Sequence, residues 1–260
     1  MIFKNNKIII GKEVNKLAKN YNTLDYSVKL QSLLKSIFPL KNFDSFSKYE
    51  LHEILNETLM NYYNGEEILK YKLFEQYIDK KNLVAAFEIK VNNSRVDFLT
   101  INGRSTSFEI KSELDNLSKL RKQMSDYMLA FEYNYLIIDE KHLNKSKELL
   151  PDSYGLWCYK NGKYSRLKTA KKNDKIDPKI QLELLTKREI KDGFPKFDGL
   201  LNCILKFYNA DYINSKFKFI LKERYKERWG FLSNNKSEIF PIDIQFFFNT
   251  NIEPELIYYH

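Results

Sequence analysis

The chain has 260 residues, 43% hydrophobic and 30% charged, which is enough apolar material for one large domain or a domain with a lobe and excludes general disorder. Lys and Arg outnumber Asp and Glu by 43 to 34, a net charge of +9 that favours a polyanionic partner, nucleic acid foremost. Cys158 and Cys203 are far apart and lack metal-ligand spacing, so neither a disulfide framework nor a structural zinc site is implied.

Residues 1–63 read as a helical amino-terminal extension. The stretch MIFKNNKIIIGKEVNK shows no signal-peptide pattern, and no apolar run reaches bilayer length, so a cytoplasmic protein without a membrane partner is expected. YSVKLQSLLKSIF and SKYELHEILNETLMNYY place apolar residues three and four apart, with Asp44 or Ser47 available to cap the second helix. Residues 64–168 form the expected core. A helix begins after Gly65, and LVAAFEIKV follows as a strand. Asn92-Asn93-Ser94 makes a turn into two further strands, Ser94–Ile101 and Ser105–Lys111, joined at Asn102-Gly103, where both residues tolerate positive φ. The period then becomes helical through Leu114, Leu117, Leu120, Met124, Tyr127, Met128 and Phe131, with Ser112 or Asp115 as cap. The strand YLIID, the helix KHLNKSKELL and the strand YGLWCY complete an α/β order with a mixed sheet sandwiched by helices. The lysine-rich segment 168–179 reads as a connector to a mainly helical carboxy-terminal lobe, 169–260. In that lobe the pattern of IFPIDIQFFF fits either a strand or a buried apolar run.

Charges inside the strands carry the functional reading. Asp97 shares a strand face with Leu99 and Ile101, while Glu109 and Lys111 share a face with each other. Two carboxylates on neighbouring strands are costly to bury unless a cation sits between them, and a divalent ion with oxygen ligands would serve. The alternatives are an exposed sheet face or a simple Glu–Lys pair. On a helical wheel Leu69, Leu73, Tyr77, Tyr62 and Tyr63 fall within about 60° of Glu66. That makes Glu66, rather than Glu67, the carboxylate aimed at the core, unless it serves only the helix macrodipole. Gln123 and Tyr127 lie one helical turn apart.

Asp97 followed by Glu109-Ile110-Lys111 after a strand-turn-strand resembles the PD-(D/E)xK nuclease superfamily, which has the restriction-endonuclease-like fold. Gln123-Met124-Ser125-Asp126-Tyr127 matches the Gln-x-x-x-Tyr motif of its RecB-like branch. The segments EEILK, NSRVDF, FEIKSELDNLSKLRKQMSDY and YLII together resemble a family of small bacterial proteins of this superfamily. The resemblance covers about residues 60–150, and Val96 stands where the superfamily pattern has Pro. It implies a metal-dependent nuclease acting on nucleic acid, with DNA the expected polymer. Asp97, Glu109 and the carbonyl of Ile110 would hold Mg²⁺ or Mn²⁺, with Glu66 in support. Lys111 would orient water or stabilise phosphate charge, and Gln123 and Tyr127 would reach the same site.

The competing reading is a module of the same fold that binds nucleic acid or a partner without turnover. The flanking helical regions would select the substrate or meet a partner, either a second copy or another protein. Arg95, Arg104 and Arg121 lie near the motif in sequence, yet solvated surface positions are the commoner role for Arg. His52, His142 and His260 have no ligand spacing and read as incidental. KFKFILKERYKERW alternates basic and aromatic residues, a pattern compatible with backbone contact and base stacking, though a helix with a buried aromatic face and solvated lysines is the commoner form.

Overall fold

The computed structural model describes residues 7–260; the first six residues of the amino-terminal stretch read above lie outside them. The elements run α1 (Lys7–Asn20), α2 (Ser27–Ile37), α3 (Lys48–Tyr62), α4 (Glu66–Tyr77), β1 (Val84–Val91), β2 (Ser94–Ile101), β3 (Ser105–Lys111), α5 (Leu120–Met128), β4 (Tyr133–Asp139), α6 (Leu143–Leu149), β5 (Gly155–Lys160) and β6 (Lys163–Lys168). They continue as α7 (Pro178–Glu183), α8 (Lys187–Gly193), α9 (Leu201–Phe207), α10 (Ala210–Asn234), α11 (Ile244–Thr250) and α12 (Pro254–Tyr258). Contacts divide the chain into two units. One holds the chain up to Glu75 together with Gly230–His260; the other is Gln76–Trp229. Among the described residues no helix is long and apolar enough to cross a membrane.

The first unit is helical. Ser47 opens α3 with a reciprocal capping box, its hydroxyl accepting from the Glu50 amide while the Glu50 carboxylate accepts from the Ser47 amide, which satisfies two otherwise orphaned N–H groups. Leu17, Leu30, Leu34, Phe43, Leu51, Leu55 and Leu59 form its core, with Ile242 packed against them. IFPIDIQFFF is not a strand: Pro241 begins a 3-10 turn, Pro241–Asp243, that leads into α11.

Beside this core lies a buried polar network. Asp243 is 1% exposed. It accepts from the Thr23 hydroxyl at 2.7 Å, Tyr258 at 2.9 Å, Tyr21 at 3.0 Å and the Asn56 amide at 3.3 Å. His52, read from sequence as incidental, belongs here: its Nδ1 is 2.8 Å from the Tyr21 hydroxyl.

The second unit carries the α/β fold, a mixed sheet flanked by helices. Its six strands lie in the order β1-β2-β3-β4-β5-β6. β1–β2–β3 and β5–β6 pair antiparallel, and β3–β4–β5 pair parallel, the parallel crossovers containing α5 and α6 as such connections require. Leu120, Met124 and Met128 of α5 pack with Leu136 and Ile138 of β4. On the other face Phe98 and Phe108 lie 6.0 Å apart, joined by Tyr135, Trp157 and Trp229 at 5.4–6.1 Å. Burial of each such aromatic side chain stabilises the fold by about 1.5–3 kcal/mol.

Two local readings need correction. Helix α5 starts at Leu120, because Ser112 and Asp115 close a turn: the Ser112 amide and hydroxyl both donate to Asp115 Oδ2, and Leu114 is left exposed. The sheet also has a sixth strand, β6, entered through Asn161 and Gly162, both at positive φ. Within this unit α7 and the first part of α10 dock by polar bonds. Glu132 accepts from the Ser105 amide at 2.8 Å, Asn214 at 2.9 Å and Lys218 at 2.9 Å, while Gln181 donates to the Ala130 carbonyl at 2.8 Å.

Burial pushes the Asp243 carboxyl up to about 6, although four hydrogen bonds favour its charged form. Burial, then Lys48, pulls His52 down to about 4. As pH falls from about 6 to about 4 the folded state holds a proton on Asp243 that the unfolded chain has released, so this group adds stability. His52 acts oppositely, because the unfolded imidazole takes up a proton that the folded one excludes. The two effects offset each other in the intact protein. Asp243→Asn removes the first. Urea unfolding of this variant is expected to show about 3 kcal/mol lost between pH 6.5 and 4, against a much flatter parent; equal slopes would exclude the opposition.

Candidate functional site

The β2–β3 ladder runs from Ile101↔Ser105 to Phe98↔Phe108 and then stops. One residue further, Asp97 Oδ2 accepts from the Ile110 amide at 2.6 Å, so a side chain replaces the next ladder bond. Here β3 continues in parallel pairing with β4, Glu109 opposite Leu136. The strands fork, and the fork opens on the face occupied by α5.

Glu109 fills that fork with no exposed surface. Lys111 Nζ donates to its Oε1. The Tyr127 hydroxyl lies 2.7 Å from its Oε2 and 2.7 Å from the Arg95 carbonyl oxygen, its single proton shared between them. Burial, with Glu109 reinforcing it, drives the Tyr127 phenol pKa far upward, which keeps it a donor. For Lys111, burial opposes the charge, but attraction to Glu109 and Asp97 and the Glu109 hydrogen bond together raise its pKa. The group is an ammonium throughout the neutral range.

The second hairpin brings in a carboxylate that the sequence reading passed over. In β1–β2 the pairs Phe87↔Phe98 and Ile89↔Val96 flank a gap at Glu88 and Asp97. Glu88 has φ 59°, a left-handed conformation that costs about 1–3 kcal/mol in a residue with a Cβ. Its carboxylate comes within 4.8 Å of that of Asp97, and Arg95 Nε pairs with its Oε2. The signal was available: a two-residue turn at Asn92-Asn93 fixes Val91 opposite Ser94, and counting back places Glu88 opposite Asp97.

Helix α5 is anchored one residue before Tyr127. Asp126 accepts from the Ser94 hydroxyl at 2.5 Å and Lys122 at 2.9 Å. Gln123 lies a turn earlier, and its Oε1 is buried without a hydrogen-bond partner among the described residues. Glu66 begins α4 in the first unit and pairs with Lys70 at 2.6 Å; it is half-buried where Glu67 is exposed. Ile110 is fully buried in β3. Of the neighbouring arginines, Arg104 stacks 4.9 Å from the Tyr133 ring centroid and Arg121 is exposed.

Fold and site together define an α/β protein with an enclosed acid–lysine–tyrosine cluster where two strands part. The chain belongs to the bacteriophage P4 protein cII family, whose family model matches residues 57–247, a span containing the whole cluster. No curated protein matches the chain. Among solved structures, a protein of unknown function from Silicibacter pomeroyi is similar over 44% of this chain and 82% of its own, with 19% identity and a TM-score of 0.30.

Because the Tyr127 hydroxyl bridges the buried Glu109 carboxylate and the Arg95 carbonyl, Tyr127→Phe is expected to destabilise the protein by about 1–3 kcal/mol. Chemical denaturation measures this, and a loss within error of zero would mean that the bridge is not formed.

Proposed function

We propose that the protein is a divalent-metal-dependent nuclease that hydrolyses nucleic-acid phosphodiester bonds, DNA being the substrate its resemblance to the PD-(D/E)xK superfamily favours. The observation that carries this reading is the grouping of Asp97, Glu109, Lys111 and Tyr127 at the fork of β2 and β3. The donor chemistry suits a hard cation. The Glu88 and Asp97 carboxylates, which come within 4.8 Å of each other, are compatible with one ion at metal–oxygen distances of about 2.1 Å. Asp97 and Glu109 are the proposed ligands with the Ile110 carbonyl, and within the same unit Glu88 stands beside Asp97 to support them. Mg²⁺ or Mn²⁺ would activate water and offset charge developing on the phosphate.

This chain's own residues have separate tasks. Lys111, kept protonated between Glu109 and Asp97, stabilises negative charge on the phosphate rather than acting as a base. Tyr127 fixes the Glu109 carboxylate. Gln123 offers a buried amide oxygen near the end of α5's first turn. The excess of basic residues supplies attraction for the polyanion.

The test is incubation of the purified protein with plasmid, linear duplex, single-stranded DNA and RNA, each with Mg²⁺, Mn²⁺ or chelator. Metal-dependent cleavage is expected, abolished by Asp97→Ala and by Glu109→Gln. Lys111→Ala should slow turnover by about 10²–10³-fold while metal binding, followed by calorimetry, persists. Cleavage that survives Asp97→Ala would overturn the metal assignment. Salt-dependent binding without any cleavage would indicate a module that binds without turnover.

In the cleavage-dead Asp97→Ala protein, duplex affinity should fall steeply with salt, as expected when bound phosphates release counterions. Fluorescence anisotropy over a salt series checks this; an affinity independent of salt would detach the charge excess from nucleic acid.

A further inference from the structure

In the first unit, a cavity of about 330 Å³ is lined by Tyr49, Tyr258, Tyr259, Glu238, Glu255 and Ser237. Its aromatic wall is held in place from behind. Tyr49 and Tyr259 stack with centroids 5.0 Å apart and planes at 19°; Tyr258 stands edge-on to Tyr49 at 6.3 Å. The Tyr258 hydroxyl is committed to Asp243 at 2.9 Å, and Phe240 packs against Tyr49 at 5.1 Å.

The opposite character comes from the two carboxylates. Neither Glu238 nor Glu255 forms an ion pair or accepts a side-chain hydrogen bond among the described residues. Among the described residues no Lys, Arg or His lines the cavity. Partial burial, then Glu53 and Tyr259, raises the Tyr49 phenol pKa. In a chain of net charge +9, this is a concavity of inverted sign, with Tyr259 exposed at its edge.

We propose that this cavity receives an arginine side chain presented by a partner protein. A guanidinium can lie flat on the exposed Tyr259 ring and fork to the two carboxylates, whereas an ammonium is a compact, strongly hydrated charge that matches this lining less well. The volume falls at the lower end of ligand pockets, about 300–1,000 Å³, which suits one long side chain rather than a folded segment. Mutual repulsion between two chains of +9 favours a different protein over a second copy. Tyrosine and arginine are enriched among the few residues that carry most of the energy of protein contacts, set in pockets near the centre of an interface. The site is independent of the proposed nuclease cluster.

Isothermal titration calorimetry on the full chain tests it with three acetylated, amidated tripeptides: Gly-Arg-Gly, Gly-Lys-Gly and the neutral isostere Gly-citrulline-Gly. Arginine is expected to bind about 10-fold or more tightly than citrulline, with lysine between them. The double variant Glu238→Gln, Glu255→Gln should abolish the difference between arginine and citrulline, and Tyr259→Leu should weaken arginine about 5-fold or more. These positions lie at the surface, so unchanged circular dichroism is expected to accompany the loss. Equal binding of arginine and citrulline, or binding indifferent to the double variant, overturns the proposal. Sedimentation velocity supplies the remaining arm: the parent should be monomeric, and self-association abolished by the double variant would give the cavity to a second copy and refute the partner assignment.

Discussion

A negative charge with no access to solvent is the constraint around which the sheet is arranged. Glu109 cannot be hydrated, and an ionised carboxylate in that position is tolerable only with compensating donors. Lys111 from the same strand and Tyr127 from α5 supply them. Meeting that demand has structural consequences. Helix α5 must present Tyr127 at one height, and the Asp126 bonds to Ser94 and Lys122 hold it there. The Arg95 carbonyl, sharing the phenol proton, ties β2 to the same point. Asp97 then caps the Ile110 amide where the ladder ends, so the fork of the strands and the enclosure of the charge are one arrangement.

The parts of this arrangement visible in the sequence are those governed by local rules. β2 and β3 were legible at their true bounds, Ser94–Ile101 and Ser105–Lys111, because Gly103 provides the positive φ their connection needs. Of the two caps open in the sequence, Asp44 and Ser47, the structure uses Ser47, whose partner Glu50 lies three residues on. The meeting of Tyr127 with Glu109 followed from the motif resemblance rather than from periodicity. What escaped was set by tertiary context. β6 contains only Tyr164 and Leu167 as sizeable apolar residues, and its alternation is too weak to announce a strand. His52 looked isolated because its partner Tyr21 is 31 residues away, and the Asp243 network reaches across more than 180 residues.

Polar bonds also decide how α7 and the first part of α10 pack within the second unit. Glu132 is 5% exposed, and burial alone would raise its pKa; Lys218, the Ser105 amide and Asn214 outweigh that and lower it. Such directional contacts specify one docking geometry, where a smooth apolar surface would allow several. In α10 the apolar residues Ile213, Phe217, Leu221 and Trp229 are buried while Phe219 is exposed, so the basic-aromatic stretch read from sequence is chiefly a packing face with lysines outside it.

The strand that was hardest to read sets how the sheet ends. β6 is the outermost strand on one side, and its residues Lys163, Ser165 and Arg166 are exposed. Arg166 lies over the Trp157 ring at 4.7 Å, shielding an aromatic surface that would otherwise face water. A second copy approaching edge to edge would have to align lysine and arginine side chains against their own kind, an unfavourable pairing of like charges across strands. The margin of the sheet therefore discourages fibrillar stacking, and the short charged strand acts as a built-in guard against aggregation.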